Sequence, residues 1–174
     1  MQLNDYHITK VSIDDIDAVI EVAKETFIAF FKEFNSPENL DEYVVKAFSK
    51  SKIADELANT NSQFYFAKQQ DKIVGYLKIN FATAQTELQD KTSLEIERIY
   101  VIENFIGKKV GQFLFNKAVE IAKTQQLAYI WLGVWEHNTR AIRFYEKQNF
   151  VKFDTHVFTL GTDRQTDYLM KLQL

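Results

Sequence analysis

The chain has 174 residues, a formal charge of -3, 46% hydrophobic and 26% charged residues, the proportions of one globular domain long enough to bury a full core. It contains no cysteine, which excludes disulfides, thiol nucleophiles and thiolate metal sites, and its slight negative charge argues against nucleic-acid binding. No apolar run nears the roughly 20 residues of a membrane-spanning helix, and the opening MQLNDYHITK lacks the basic and apolar regions of a secretion signal, so a cytoplasmic protein is expected.

In chain order, YHITKV (6–11) reads as a first strand. Ser12 and Asp15 have the spacing of a capping box, opening a helix with Ile16, Val19, Ile20, Ala23 and Phe27 on one face. A turn at NSP leads into a second helix with Pro37 near its start, over 35–48, and SKIADELAN (51–59) predicts a short third. SQFYFAK and KIVGYLKINF, joined by QQD, read as a hairpin. The next strand, 92–102, is expected to carry Glu95, Glu97, Ile99 and Val101 on one side. Val110, Leu114, Ala118 and Ile121 space a helix over about 108–124. LAYIWLGVW (127–135) predicts a strand buried on both faces. A helix over 138–148 and two closing strands around GTDRQ complete the order β-α-α-α-β-β-β-α-β-α-β-β, an α/β (α+β) domain with a mixed sheet over 1–174.

The joint between the strand at 99–102 and the following helix holds Gly107, Lys108, Lys109 and Gly111, although the whole chain has only 5 glycines. Free backbone N–H groups at such a joint, the helix dipole and two lysines make an anion site. A tight turn with two solvated lysines is the plainer reading of this segment alone.

Residues 138–150, NTRAIRFYEKQNF, place Asn138, Ala141, Phe144, Tyr145 and Phe150 in the register N-x-x-A-x-x-F-Y-x-x-x-G-F. With this signature the chain resembles the GCN5-related N-acetyltransferases, and the 106–111 loop is similar to that family's Q/R-x-x-G-x-G pyrophosphate motif. Three positions depart from the pattern: Ile106 replaces Gln or Arg, Lys109 replaces the first glycine, and Asn149 replaces the glycine of the closing pair. Segments 75–80, 94–101, 129–138 and 156–170 resemble the PaiA-type polyamine acetyltransferases within the family.

The resemblance implies a single-domain fold of that family, a mixed central sheet flanked by helices, with acetyl-CoA as cosubstrate and no metal. It also implies that the backbone of Ile99 and Val101 pairs with the pantetheine arm, with Tyr100 between them counted among the cofactor-binding residues. The amides of Gly107, Lys108, Lys109, Val110, Gly111 and Gln112 would take the pyrophosphate, and Ile106, Asn138, Ala141 and Tyr145 would border the cofactor. Tyr145 is the candidate donor to the departing sulfur. A phenol with a pKa of about 10 is protonated at neutral pH and can bond a thiolate of pKa about 8.5.

An amine of pKa about 10.4 is almost wholly protonated at pH 7, so its proton must be removed, directly or through water. Some relatives that acetylate proteins carry a Glu where this chain has Gly133. Glu95 and Glu97 are the remaining candidate bases, each with an ordinary strand-edge reading beside it. Glu33, Glu38 and Asp41 gather near the helices that cover the acceptor cleft in the family and would suit a polycation, or form a solvated face. Phe27, Phe30, Phe31 and Phe34 space a helical stripe expected to be core, with a ring lining the cleft. The leading expectation is acetyl transfer to a small polyamine; a protein amine as acceptor and a non-catalytic acyl-CoA-binding module are the alternatives. The sequence leaves the oligomeric state open, a homodimer included.

Overall fold

The structure, a computed structural model, describes residues 6–160 and 163–174. Residues 1–5 and the pair 161–162, on which the start of the expected GTDRQ turn falls, lie outside the described residues. The elements are β1 (His7–Lys10), α1 (Ile16–Phe31), α2 (Pro37–Ala47), α3 (Lys50–Ala58), β2 (Ser62–Gln69), β3 (Lys72–Phe81), β4 (Ser93–Val101), α4 (Val110–Thr124), β5 (Tyr129–Trp135), α5 (Thr139–Lys147), β6 (Val151–Leu160) and β7 (Asp163–Gln173). They follow the expected order. The strands form one seven-stranded sheet in the order β1-β2-β3-β4-β5-β7-β6, with β4 and β5 parallel.

Two apolar cores lie on opposite faces of the sheet. Helices α1 to α3 cover one, around Val19, Phe27, Val44, Ile53 and Tyr76; α4 and α5 cover the other, around Leu77, Ile96, Leu114, Leu132 and Tyr145. Local chemistry sets the helix starts. The Ser12 N–H donates to Asp15 Oδ2 at 2.9 Å ahead of α1, and the hydroxyls of Ser36 and Ser49 accept from the first turns of α2 and α3.

β4 departs from simple alternation. Lys78 pairs with Arg98 but Ile79 pairs with Ile96, so Glu97 is one residue extra opposite β3, a β-bulge. The bulge reverses the phase of the strand. Leu94 and Ile96 before it, and Ile99 and Val101 after it, belong to the α4 side, whereas Tyr100 packs on the α1 side. The expectation that Glu95, Glu97, Ile99 and Val101 share a face is therefore corrected: the carboxylates point opposite to the two aliphatic side chains.

The bulge also ends the pairing of β4 with β5. Parallel register runs over Ser93–Tyr129, Leu94–Ile130 and Glu95–Trp131, and beyond it β5 continues to Trp135 paired with β7 alone. The two strands diverge, opening a cleft in the middle of the sheet.

Left-handed residues close two helices. At the end of α4, Gln126 has φ 55° while the Leu127 N–H donates to Ala122 O at 3.0 Å, which uses Leu127 as a helix stop and delays β5 to Tyr129. Asn149 has φ 66° after α5, with Phe150 N–H bonded to Tyr145 O at 3.0 Å. Asparagine thus serves in the left-handed position where the family signature has glycine.

Candidate active site

The cleft has a volume of about 1040 Å³ and is lined from β4, β5, β7, the end of α1, the start of α4 and α5. Its β4 lip presents main chain. The Ile102 N–H donates to Val74 O at 3.0 Å, so alternation turns the Tyr100 amide groups toward β3 and those of Ile99 and Val101 into the gap. These unpaired groups could accept an amide-bearing arm as a further strand. Gly75 lets β3 approach behind this lip: a Cβ there would stand 2.6 Å from the Tyr100 carbonyl oxygen.

At the open end of the lip, Gly107 has φ 81° and Lys109 has φ 67°. Lys109 is the N-cap of α4 and makes no side-chain cap. The N–H groups of Val110, Gly111 and Gln112 in the first turn thus have no intrahelical acceptor and face an anion's place. The helix begins two residues later than its apolar spacing suggests because Lys109 is left-handed. A Cβ on Gly111 would meet nothing closer than Val101 Cγ2 at 3.8 Å, so internal crowding does not require glycine at this position. Lys108 Nζ lies 5.0 Å over the Phe105 ring, and the Gln112 and Gln148 amides bond each other at 3.1 and 3.3 Å. Both side chains are occupied; the Lys108 N–H donates to Phe105 O at 3.2 Å, whereas the Gln112 N–H remains available. Ile106 is 39% exposed, an apolar contact in place of a polar one.

Asn138 Oδ1 accepts from Ala141 N at 3.1 Å and caps α5. The Asn and Ala of the signature are therefore tied to each other, fixing the helix that carries Tyr145. Tyr145 is buried, with its ring 5.3 Å from Phe144 and 5.5 Å from Phe150, and it lines the cleft. Burial pushes its hydroxyl well above the ordinary phenol range, which keeps it a proton donor at any physiological pH.

The two expected bases have other partners. Glu97 is bound by Lys78, by Arg98 Nη2 at 3.0 Å and by Asn80. Arg98 also makes a bidentate pair with Glu56 at 2.9 Å, and Lys78 reaches Glu56 at 3.1 Å. Burial alone would raise the Glu97 carboxyl, but Arg98 and Lys78 hold it below the usual carboxylate range. An acid so stabilised as its anion is a poor proton acceptor. Glu95 accepts from the Thr86 N–H at 2.9 Å, the Thr86 hydroxyl and Asn80 Nδ2 at 3.0 Å. Burial still lifts it above the usual range.

Of the acidic residues expected at the acceptor end, Glu33 lines the cleft, whereas Glu38 and Asp41 are exposed on α2 and do not. The phenylalanine stripe contributes more than expected: Phe27, Phe30, Phe31 and Phe34 all line the cleft. Phe34 stands 4.8 Å from Trp135 at 70°, and Trp135 stands 5.2 Å from His137 at 86°. Three residues not singled out as site residues join them. Asp167 on β7 lies opposite Trp135 and pairs across the sheet with His156, and His156 Nε2 is 3.2 Å from Glu87 Oε1. Burial pushes the Asp167 carboxyl up to about 6, with His156 opposing and Glu136 adding to the rise.

The model of the acetyltransferase (GNAT) family matches residues 18–150. The chain belongs to this family. It is 41% identical over 167 residues to an uncharacterized N-acetyltransferase of Lactobacillus delbrueckii subsp. lactis, covering 96% of both chains. It is 26% identical over 152 residues to the spermidine N(1)-acetyltransferase of Thermoplasma acidophilum, 85% of this chain and 89% of that one. The crystal structure of PaiA N-acetyltransferase from Thermoplasma acidophilum in complex with coenzyme A shares the fold, with a TM-score of 0.80, 23% identity and coverage of 97% and 99%. This N-acetyltransferase accordingly uses acetyl-CoA. The unpaired β4 lip and the uncapped α4 start are features that fit a ligand with an amide arm and a pyrophosphate. Among the described residues, no helix of the acetyltransferase is long and apolar enough to cross a membrane.

Proposed function

We infer that this acetyltransferase acetylates a primary amine of a small polyamine. The observation that carries the reading is the acceptor half of the cleft, where Glu33, Glu87 and Asp167 share a wall with Phe30, Phe34 and Trp135. Carboxylates favour ammonium groups, and aromatic faces favour both cations and the methylene spacers between them. Similarity to a spermidine N(1)-acetyltransferase supports the same class of acceptor. Incubation with acetyl-CoA and a panel of spermidine, spermine, amino acids and peptides, read by mass spectrometry, tests it. Polyamines are expected to turn over with the highest kcat/KM; transfer to peptide N-termini with none to polyamines overturns the reading.

The thioester carries an activated acetyl group. Ile99 and Val101 would align its arm through main-chain hydrogen bonds, and the amides at the start of α4, with Lys109, would hold the pyrophosphate. Tyr145 would hydrogen-bond the sulfur as negative charge develops there. A cytoplasmic setting belongs to the same reading.

Lys109 separates two effects. A non-glycine residue in the left-handed region costs about 1–2 kcal/mol, whereas a lysine beside a pyrophosphate attracts it. Lys109→Gly is expected to raise the thermal midpoint of the free protein by about 2–4 °C, as a gain of about 1 kcal/mol does at this size. Binding of CoA should weaken about five-fold, corresponding to about 1 kcal/mol. Calorimetric titration and melting curves check the two signs; tighter binding by the variant would show that the lysine only obstructs.

A further inference from the structure

Gly133 leaves a space in the cleft, and the space is filled from another strand. A Cβ built on Gly133 would lie 3.7 Å from Asp167 Oδ2 and 4.0 Å from Asp167 Cβ. Gly133 itself is exposed to the cleft. Asp167 sits on β7, two pairs along from the Gly133–Leu169 pair and therefore on the same face of the sheet. Its carboxylate thus projects where a side chain from β5 would otherwise reach, in the cleft that Tyr145 also lines.

We propose that Asp167 is the catalytic residue that takes the proton from the acceptor amine, supplied by β7 in place of any side chain on β5. The inference rests on acetyl transfer to an amine but not on which amine. Three facts separate Asp167 from Glu95 and Glu97. It has no lysine or arginine bound to it among the described residues, unlike Glu97. Among the described residues, no hydrogen bond from a neighbouring side chain commits its oxygens, unlike those of Glu95. And its burial places its titration near neutrality, where a base is both free and strong enough to act. The groups that face it are His156 from β6, Glu136 beyond β5 and Tyr43 of α2, and His156 is in turn bound to Glu87.

The step balances without a further reagent. The ammonium gives one proton to Asp167. The lone pair so freed forms the C–N bond, the C–S bond breaks, and its electron pair leaves with sulfur. The second proton lost by nitrogen neutralises the thiolate, giving amide and thiol, and Asp167 returns its proton to water.

The acceptor for the test is whichever of spermidine or a peptide N-terminus the unmodified enzyme turns over, so failure of the polyamine reading leaves the outcome intact. The unmodified enzyme is expected to lose kcat as pH falls through about 6, the value at which Asp167 protonates. A kcat flat from pH 5 to 8 overturns the proposal without recourse to variants. Asp167→Asn should lower kcat at pH 7.5 by about 100-fold, the low end of general-base contributions. It should also abolish the inflection and leave CoA affinity within about three-fold. Asp167→Asn/Gly133→Glu should recover part of the rate, because a carboxylate returns to the same space from β5. A single variant that keeps either its rate or its inflection assigns the proton to another group.

Discussion

Replacing Tyr145 by Phe is expected to lower kcat about 100-fold while leaving CoA affinity nearly unchanged. The ring packs against Phe144 and Phe150, so loss of one oxygen preserves its shape and costs little in folding. What disappears is a hydrogen bond whose strength grows only as charge collects on sulfur. An interaction confined to the transition state lowers kcat and kcat/KM together and spares ground-state binding. General-acid assistance is worth about 10²–10⁴-fold, and a thiolate is already a fair leaving group, which sets the lower limit as the expected one. Pre-steady-state measurement of the chemical step decides the matter: an unchanged rate removes Tyr145 from the chemistry. Loss of CoA binding would instead make it a structural residue.

The second large effect concerns folding. Lys78 is 3% exposed and is held by Glu56 and Glu97 beneath α3. Lys78→Met fills a similar volume but leaves Arg98 alone to neutralise both carboxylates. Breaking a buried pair by removing one partner costs about 3–5 kcal/mol, which at this chain length lowers the thermal midpoint by on the order of 10 °C. Adding Glu97→Gln to Lys78→Met should restore part of the loss, because the uncompensated charge goes with it. Additive losses in the double variant, measured by denaturant titration, would show that the network is not coupled.

The parts of this molecule written into short segments were legible before the structure. Asn138, Ala141 and Tyr145 lie within one helix and its cap, where spacing alone fixes their relation. Asn149 could be read as left-handed because its neighbours define a helix end, and Gly107 with Gly111 marked the joint to α4. The bulge at Glu97 was not legible. An alternating run looks the same whether or not one extra residue shifts its phase, and only pairing with β3 shows that Lys78 and Ile79 meet Arg98 and Ile96. For the same reason Glu97 looked like a free carboxylate, since its partners Lys78 and Asn80 come from β3. Asp167 was hidden more deeply. Its place beside Gly133 depends on the register of β5 against β7, two strands separated by α5 and β6, and nothing in either segment states that register.

The divergence of β4 and β5 has a consequence for the protein's persistence. Between them the sheet is held by three residue pairs at one end, with α4 as the covalent link, so the molecule is in effect two half-sheets joined at a corner. A ligand that bonds the β4 lip and rests against β5 and α5 spans that division. Bound only by the folded chain, it adds about 2.7 kcal/mol at a hundred-fold excess over its dissociation constant. The cosubstrate is then also a structural member, a removable strut, and a starved protein opens along its own cleft more readily than a supplied one. How long each copy survives would thus follow how much acetyl-CoA surrounds it.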